Sequence, residues 1–406
     1  MNVVFISPHY PPEMAGFTRG LAEVGANVIG VGEGSAAALP NATRGHLADW
    51  VSVPKLFDEE SAANALVRAL RGRKIDRIES LWEPTVLLAA RVRDLTGVPG
   101  MSRDTVLGFR DKQLMKERVA RAGLRVPLSR RVTTVTEARH AALEIGFPVI
   151  IKPIAGAGSA DTFRCDDGPE LERALARMSH IGEASVEEFI DGEEFTCDAI
   201  SIDGRPVFES VTQYHPRPLI ARSEEWVSPA QLTFRDPHER ALAGGVELGR
   251  NVLAALGMGS GFTHMEWYKK SNGEVVFGEI AARSGGGHLI DMMNWANDID
   301  VYREWARAVC WGRFDARVAR RYHVAMVFKR ALGQGRIARI EGLRELRAAC
   351  GPAWVGDHLL PVGTRRRNWK QTVVSDGGVA LRHPDYRTCR ALMEKAIGEL
   401  TLYARP

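Results

Sequence analysis

Residues 262–283, FTHMEWYKKSNGEVVFGEIAAR, constrain the chain more than any other stretch. Asn272-Gly273 between two apolar runs is the strongest short hairpin signal in the sequence, because both residues tolerate the positive φ that a tight two-residue turn requires. With that loop Ser271 faces Glu274. The register then sets Glu266 directly across from Glu279, on one face, with Cβ atoms about 4.5–5.5 Å apart. Facing carboxylates repel, so the pair calls for a shared proton, a neighbouring cation or a divalent metal that prefers oxygen ligands; magnesium fits best. Two edge carboxylates held apart by solvent are the alternative. His264 shares the face of Glu266 in this register, as an ordinary hydrogen-bonded sheet histidine or as a substrate contact.

The 406 residues suggest two to three domains. Residues 2–6 and 27–31 read as strands around a helix at 13–24; helices at 62–70 and 85–95 flank a third strand at 75–81. That alternation predicts an open parallel α/β sheet over 1–104, whose ligand-binding edge would include residues 7–12 and 82–84. Gly30, Gly32 and Gly34 follow the second strand as G-x-G-x-G, which is neither the spacing nor the place of a dinucleotide fingerprint. From residue 105 the texture becomes α+β. Asp111 is placed to cap a helix over 111–122, and 195–210 reads as a hairpin about Asp203-Gly204. An apolar strand at 322–328 and an amphipathic helix at 386–400 predict a small α+β subdomain over 319–406. Arg365, Arg366 and Arg367 in a turn of that region read as solvated surface rather than a phosphate site.

With 54 Lys and Arg against 50 Asp and Glu, the net charge of +4 gives no basis for polyanion binding. The five cysteines form no CxxC pair, so neither a zinc site nor a disulfide framework is indicated. No leader and no apolar run of about 18 residues is visible, and the expectation is a cytoplasmic protein with no membrane or nucleic-acid partner.

Two further segments have chemical character. Lys152 ends a β-branched run, PVIIKP, and enters a Gly/Ala/Ser loop at 154–160 that could aim an ammonium and backbone N–H groups at a polyphosphate. Residues 186–195, VEEFIDGEEF, place acidic side chains around an apolar pair and a turn. Each is weak alone. Taken in order with Asp111-Lys112, Glu266 and the run from Glu279 to Arg283, they resemble the ATP-grasp superfamily, and more closely its carboxylate–amine ligase branch, which includes the L-amino-acid ligases.

The resemblance implies an ATP-grasp fold over 105–318, with a small lobe at about 111–186 and a large lobe at about 187–318. It implies that Lys112 and Lys152 contact ATP phosphates, with Gly158 and Ser159 covering them. Glu187, Glu188 and the backbone at Ile190 would hold the adenine edge, and Glu194 the ribose. Glu266 and Glu279 would hold Mg2+, with Mn2+ an alternative. Arg283, four residues after Glu279, would be the catalytic cation, and His288 in the GGGH stretch, together with Trp226 and His264, would contact substrate. Ala281 stands where many members have a metal-binding Asn. The implied activity is ADP-forming ligation of a carboxylic acid to an amine through an acyl phosphate, both substrates being small molecules, in a family where dimers are common. Activation of bicarbonate or another small acid, and a degenerate ATP-binding module, are the competing readings. Residues 213–229 would lie over the active site, with Tyr214, His215, Arg217, Arg222 and Trp226 lining a pocket or packing a lid.

Overall fold

A computed structural model describes residues 1–154, 161–372 and 374–406. Four parallel strands open the chain: β1 (Asn2–Ile6), β2 (Asn27–Gly32), β3 (Asp49–Ser52) and β4 (Arg77–Glu79), in the order β3-β2-β1-β4. Val3 to Ile6 are all buried, as expected of a central strand covered on both faces. Val3 and Phe5 pack with Phe17 and Trp305, Val4 and Ile6 with Leu66 and Leu88. The edge strand β3 is absent from the sequence reading because four residues are too few for alternation to show. Its Trp50 explains two of the glycines on β2. A Cβ would stand 2.9 Å from the Trp50 ring at Gly30 and 2.7 Å from it at Gly32, so these two glycines serve packing.

The second layer is antiparallel. Strands β5 (Ser129–Val132), β6 (Val149–Pro153), β7 (Phe163–Cys165) and β8 (Ala184–Glu188) run in the order β5-β8-β6-β7. Helices Val135–Ile145 and Gly168–Arg177 contribute their buried faces to the same core. The first begins in a capping box between Thr134 and Glu137, which satisfies N–H groups that the helix leaves without internal partners.

The remaining strands are β9 (Glu193–Ile202), β10 (Arg205–His215), β11 (Ala230–Thr233), β12 (Gly261–Lys269), β13 (Val275–Ala281), β14 (His323–Phe328), β15 (Arg336–Glu341), β16 (Trp354–Asp357), β17 (Gly378–His383) and β18 (Thr401–Arg405). Eight of them form one sheet, β13-β12-β9-β10-β11-β14-β17-β16, while β15 pairs with β18. The position 318/319 therefore falls between strands of a continuous sheet, to which the C-terminal part adds β14, β17 and β16. The helix Tyr386–Glu399 lies on this extension through Cys389, Met393 and Ala396. The three-arginine turn is not uniformly solvated. The Arg366 side chain is only 6% exposed, enclosed by Glu225, Asp376 and the Gly333 carbonyl.

All five cysteines are buried and free. Among the described residues no helix is long and apolar enough to cross a membrane.

Candidate active site

A cleft of about 760 Å3, open solvent included, runs between the β5-β8-β6-β7 sheet and the β13-β12-β9-β10 end of the large one. Pro127, Ile150, Phe189, Ile190 and Leu219 supply apolar lining; Lys112, Lys152, Glu194, Arg217, Glu266 and Glu279 supply charge. Such a mixture of apolar wall and convergent polar groups is typical of small-molecule sites.

Glu266 stands opposite Glu279, by a route other than the expected one. The hairpin loop has three residues rather than two. Lys270 N–H donates to the Glu274 carbonyl and Gly273 N–H to the Lys270 carbonyl, each at 2.9 Å, with Gly273 at φ +87°. The arms therefore leave the turn one residue out of the expected register, with Lys269 opposite Val275 and Trp267 opposite Phe277. A bulge at Gly278 then shifts the pairing, so that Glu266 meets Glu279 and His264 meets Ala281. A Cβ at Gly278 would lie 2.8 Å from the Glu266 carbonyl oxygen, which is why glycine closes this bulge.

Asp111 caps the helix Lys112–Arg121, accepting from Gln113 and Leu114 N–H at 3.0 Å each. That start sets Lys112 and Lys116 one turn apart on a common face. Lys112 Nζ lies 2.9 Å from Glu279 Oε2. Lys152, on β6, places its Nζ 3.0 Å from Glu187 Oε2 and 3.7 Å from Glu279 Oε2. Lys116 pairs with the other Glu187 oxygen. Burial disfavours each of these charges, and the outcome differs by site. At Glu187 the two lysines outweigh burial and hold the carboxyl down at about 2. At Lys116 burial wins over Glu187 and lowers the ammonium to about 8. Lys152 is pulled upward by Glu187 and Glu279 against burial. Glu279 is held well below the ordinary carboxylate range, against burial, by Lys112 and Lys152. Burial, then Glu279, pushes Glu266 up.

The carboxylates expected at an adenine edge line the cleft but are already engaged by cations. Both Glu187 oxygens are on lysines. Glu188 accepts from Arg125 at 2.6 and 3.0 Å and from Leu128 N–H at 3.1 Å. Phe189, Ile190 and Glu194 line the cleft as well. The Ile190 carbonyl accepts from Arg217 Nη1 at 2.8 Å, and Glu194 Oε2 lies 3.1 Å from Arg217 Nε. Burial and then Glu266 raise the Glu194 carboxyl, with Arg217 opposing. Arg217 also lies over the rings of Phe189 and Tyr268, at 5.0 and 4.9 Å.

Arg283 donates from Nε to Glu83 Oε2 and from Nη1 to the Ser284 carbonyl, both at 2.6 Å. Glu83 follows β4, so the anticipated ligand edge of the parallel sheet does reach Arg283. His264 Nδ1 is 2.7 Å from Asp198 Oδ1, whose other oxygen accepts from Thr196 Oγ1 at 2.6 Å; His264 Nε2 is 3.8 Å from Glu266. His288 sits at φ +63°, held by Asp291 at 2.8 Å and stacked on His358. Trp226 stands apart. It is 74% exposed, with its indole N–H on Glu224, so it faces solvent rather than the cleft wall. Gly158 and Ser159 lie outside the described residues.

Lys116, Arg125 and Asp198 were not named from the sequence, and Glu83 was named only as part of the 82–84 edge. Lys116 is signalled by its i,i+4 spacing from Lys112, and Glu83 by its place at a strand end. Asp198 gives no signal, since a polar residue in a strand looks alike whether it faces solvent or a buried histidine. Among the described residues no group of three or more His, Cys, Asp or Glu is arranged to hold a metal.

Residues 145–291 match the ATP-grasp domain. An L-arginine-specific L-amino acid ligase of Bacillus subtilis is 29% identical over 276 residues, which cover 64% of this chain and 66% of the relative. An alanine–anticapsin ligase of Bacillus subtilis is 26% identical over 282 residues, 63% of this chain and 58% of the relative. The matches thus span less than two thirds of either curated relative. An L-amino acid ligase from Bacillus licheniformis has the same fold at a TM-score of 0.77 and 21% identity, over 100% of this chain and 99% of that one. The matched domain contains β6, β8 and the β12–β13 hairpin that build the cleft, so the part of the chain that forms the cleft is an ATP-grasp domain.

Proposed function

We propose that the protein is an ADP-forming ligase that joins a carboxylic acid, an amino acid or other small metabolite, to an amine. A carboxylate oxygen of the acid attacks the γ phosphorus of ATP and ADP leaves; the amine nitrogen then attacks the acyl phosphate and inorganic phosphate leaves. The observation that carries this reading is the Glu266–Glu279 row beside Lys112 and Lys152 in a cleft with apolar walls. The names of the curated relatives support an amino acid as one substrate.

In this reading Lys112 and Lys152 neutralise the polyphosphate, which phosphoryl transfer requires more than any covalent group from the protein. Glu187 serves by aiming Lys152, and Glu188 by fixing Arg125, rather than by touching the base. The backbone at Ile190 takes the adenine edge and Glu194 the ribose. Gly158 and Ser159 are assigned to the phosphates from the resemblance. Glu266 and Glu279 fit a hard divalent ion: they face each other, and the charge of Glu279 is now balanced by lysines. Magnesium, or manganese, would supply charge neutralisation for the phosphates there. Arg283, oriented by Glu83, stabilises the acyl phosphate or holds a substrate carboxylate. His264 and His288 remain proposed substrate contacts.

The test is release of ADP and phosphate from Mg-ATP with the twenty L-amino acids offered singly and in pairs, products being detected by mass. Release with a productive pair and a condensed mass is expected. The Glu279→Gln variant should lose ADP release while keeping its circular dichroism spectrum; full activity in that variant would reject the assignment of the row.

A further inference from the structure

The segment roofing the cleft is held at both ends. Its first residues face the cleft, where Arg217 binds Glu194 and the Ile190 carbonyl and Leu219 lines the wall. Its last residues are gripped by the C-terminal part of the chain. Arg222 Nη1 donates to the Lys370 carbonyl at 2.9 Å, Arg330 Nη1 to the Glu224 carbonyl at 2.8 Å, and Arg366 Nη2 to Glu225 Oε1 at 2.8 Å. Between the ends lies the helix Pro218–Ser223, six residues long and too short to hold itself in place.

The gripping arginines are themselves built in. Arg330 is 8% exposed, donates from Nε to Ser375 Oγ at 3.2 Å and lies 4.7 Å over the Trp369 ring. Arg366 also donates to the Gly333 carbonyl, with Asp376 Oδ2 3.8 Å from its Nε. Asp376 is 1% exposed and accepts Ala331 N–H at 2.8 Å. Guanidinium groups held on their inner side by buried Ser375 and Asp376 do not reorient without leaving polar atoms unsatisfied, so they make a rigid anchor for the exposed Glu224 and Glu225.

We infer that Arg330 and Arg366 are positioning residues for the nucleotide cleft, latching the 217–225 roof so that Arg217 and Leu219 stay over it. This rests on the proposed nucleotide reading of the cleft. It also gives the C-terminal extension of the large sheet a role in binding, although it supplies no lining residue of the cleft among those described.

The experiment uses the full-length protein and its Arg366→Ala, Glu225→Gln and Arg366→Lys variants. Hydrogen exchange without nucleotide should show amides of 218–225 exchanging about tenfold faster in Arg366→Ala and Glu225→Gln, with β9 and β12 unchanged. Calorimetry should show the Kd for ATP rising about tenfold in both, because a roof seated a tenth of the time lowers apparent affinity by that fraction. Arg366→Lys keeps a cation for Glu225 and should fall between, and the double variant Arg366→Ala/Glu225→Gln should be no worse than either single. Unchanged exchange at 218–225, or acceleration spread over the whole chain, overturns the latch, as does unaltered ATP affinity in the variants of a protein that binds ATP. Failure of the wild type to bind ATP rejects the nucleotide reading instead, and the exchange data still decide whether the arginines hold the segment.

Discussion

Replacing Glu187 by Gln should cost far more stability than replacing Lys116 by Met, although the two are partners in one ion pair. Glu187 is the carboxylate on which Lys116 and Lys152 converge, its side chain 5% exposed. Its carboxyl is held at about 2 against an ordinary 4.5, and two and a half units correspond to roughly 3 kcal/mol of stability at neutral pH. That agrees with the ~3–5 kcal/mol lost when one partner of a buried pair is removed and the other charge stranded. Lys116 is in the opposite position. Its ammonium is lowered to about 8 from 10.5, so at pH 7 carrying the charge in the folded state already costs roughly 3 kcal/mol. Methionine relieves that cost and leaves Glu187 with Lys152; the net change should be within about 1 kcal/mol of wild type. The signs also fix the pH windows. The Glu187 contribution is present above pH 4.5 and is lost as pH falls through 2. The Lys116 penalty is complete below pH 8 and lifts between 8 and 10.5, so wild type should gain more stability across that window than Lys116→Met, in which Lys329, also lowered to about 8 by burial, still contributes its own gain. Urea unfolding followed by tryptophan fluorescence, at pH 7 and at steps to pH 10.5, reads both effects. A Lys116→Met midpoint as low as that of Glu187→Gln would refute the asymmetry, and with it the account of why Lys152 points where it does.

Other outcomes follow from single contacts. Gly278→Ala puts a Cβ 2.8 Å from a backbone oxygen at the bulge, so it should lower stability by about 1–3 kcal/mol and ADP release by more than tenfold, checked by thermal melting and coupled ADP assay. Glu83→Gln should leave ATP affinity unchanged by calorimetry but cut ADP release at least tenfold, since it loosens Arg283 and touches nothing in the nucleotide cleft. His323 is 2% exposed and accepts Arg235 N–H at 3.1 Å, and burial lowers it to about 4. Stability tied to the neutral ring is present above pH 6.5 and lost as pH falls toward 4, by up to about 3 kcal/mol. The melting temperature of His323→Phe should therefore fall less over that range than that of wild type.

What was legible in the sequence, and what was not, divides along the range of the interaction involved. The parallel opening sheet, the helix capped by Asp111 and the turn at Asp203-Gly204 are written in neighbouring residues, where periodicity and turn chemistry act. The facing of Glu266 and Glu279 rests on two departures from a simple two-residue hairpin that cancel: the loop holds three residues, and the Gly278 bulge restores the register. A glycine inside a strand is the signal of such a bulge, and it stood in the sequence at 278. The charge network was legible only in part. Lys112, Lys152 and Glu279 follow from an ordered motif, whereas the occupation of Glu187 by Lys116 depends on a helix packed against β5 and β13, a tertiary fact no spacing in 186–195 encodes. Trp226 shows the same limit in reverse, since an aromatic in a polar segment looks alike whether it lines a cleft or stands in water. Arg366 makes the limit general. Three consecutive arginines have the appearance of a solvated turn until Glu225, 141 residues earlier, arrives beside the middle one. A charge run in a sequence states how much charge must be neutralised, and only the fold states by what.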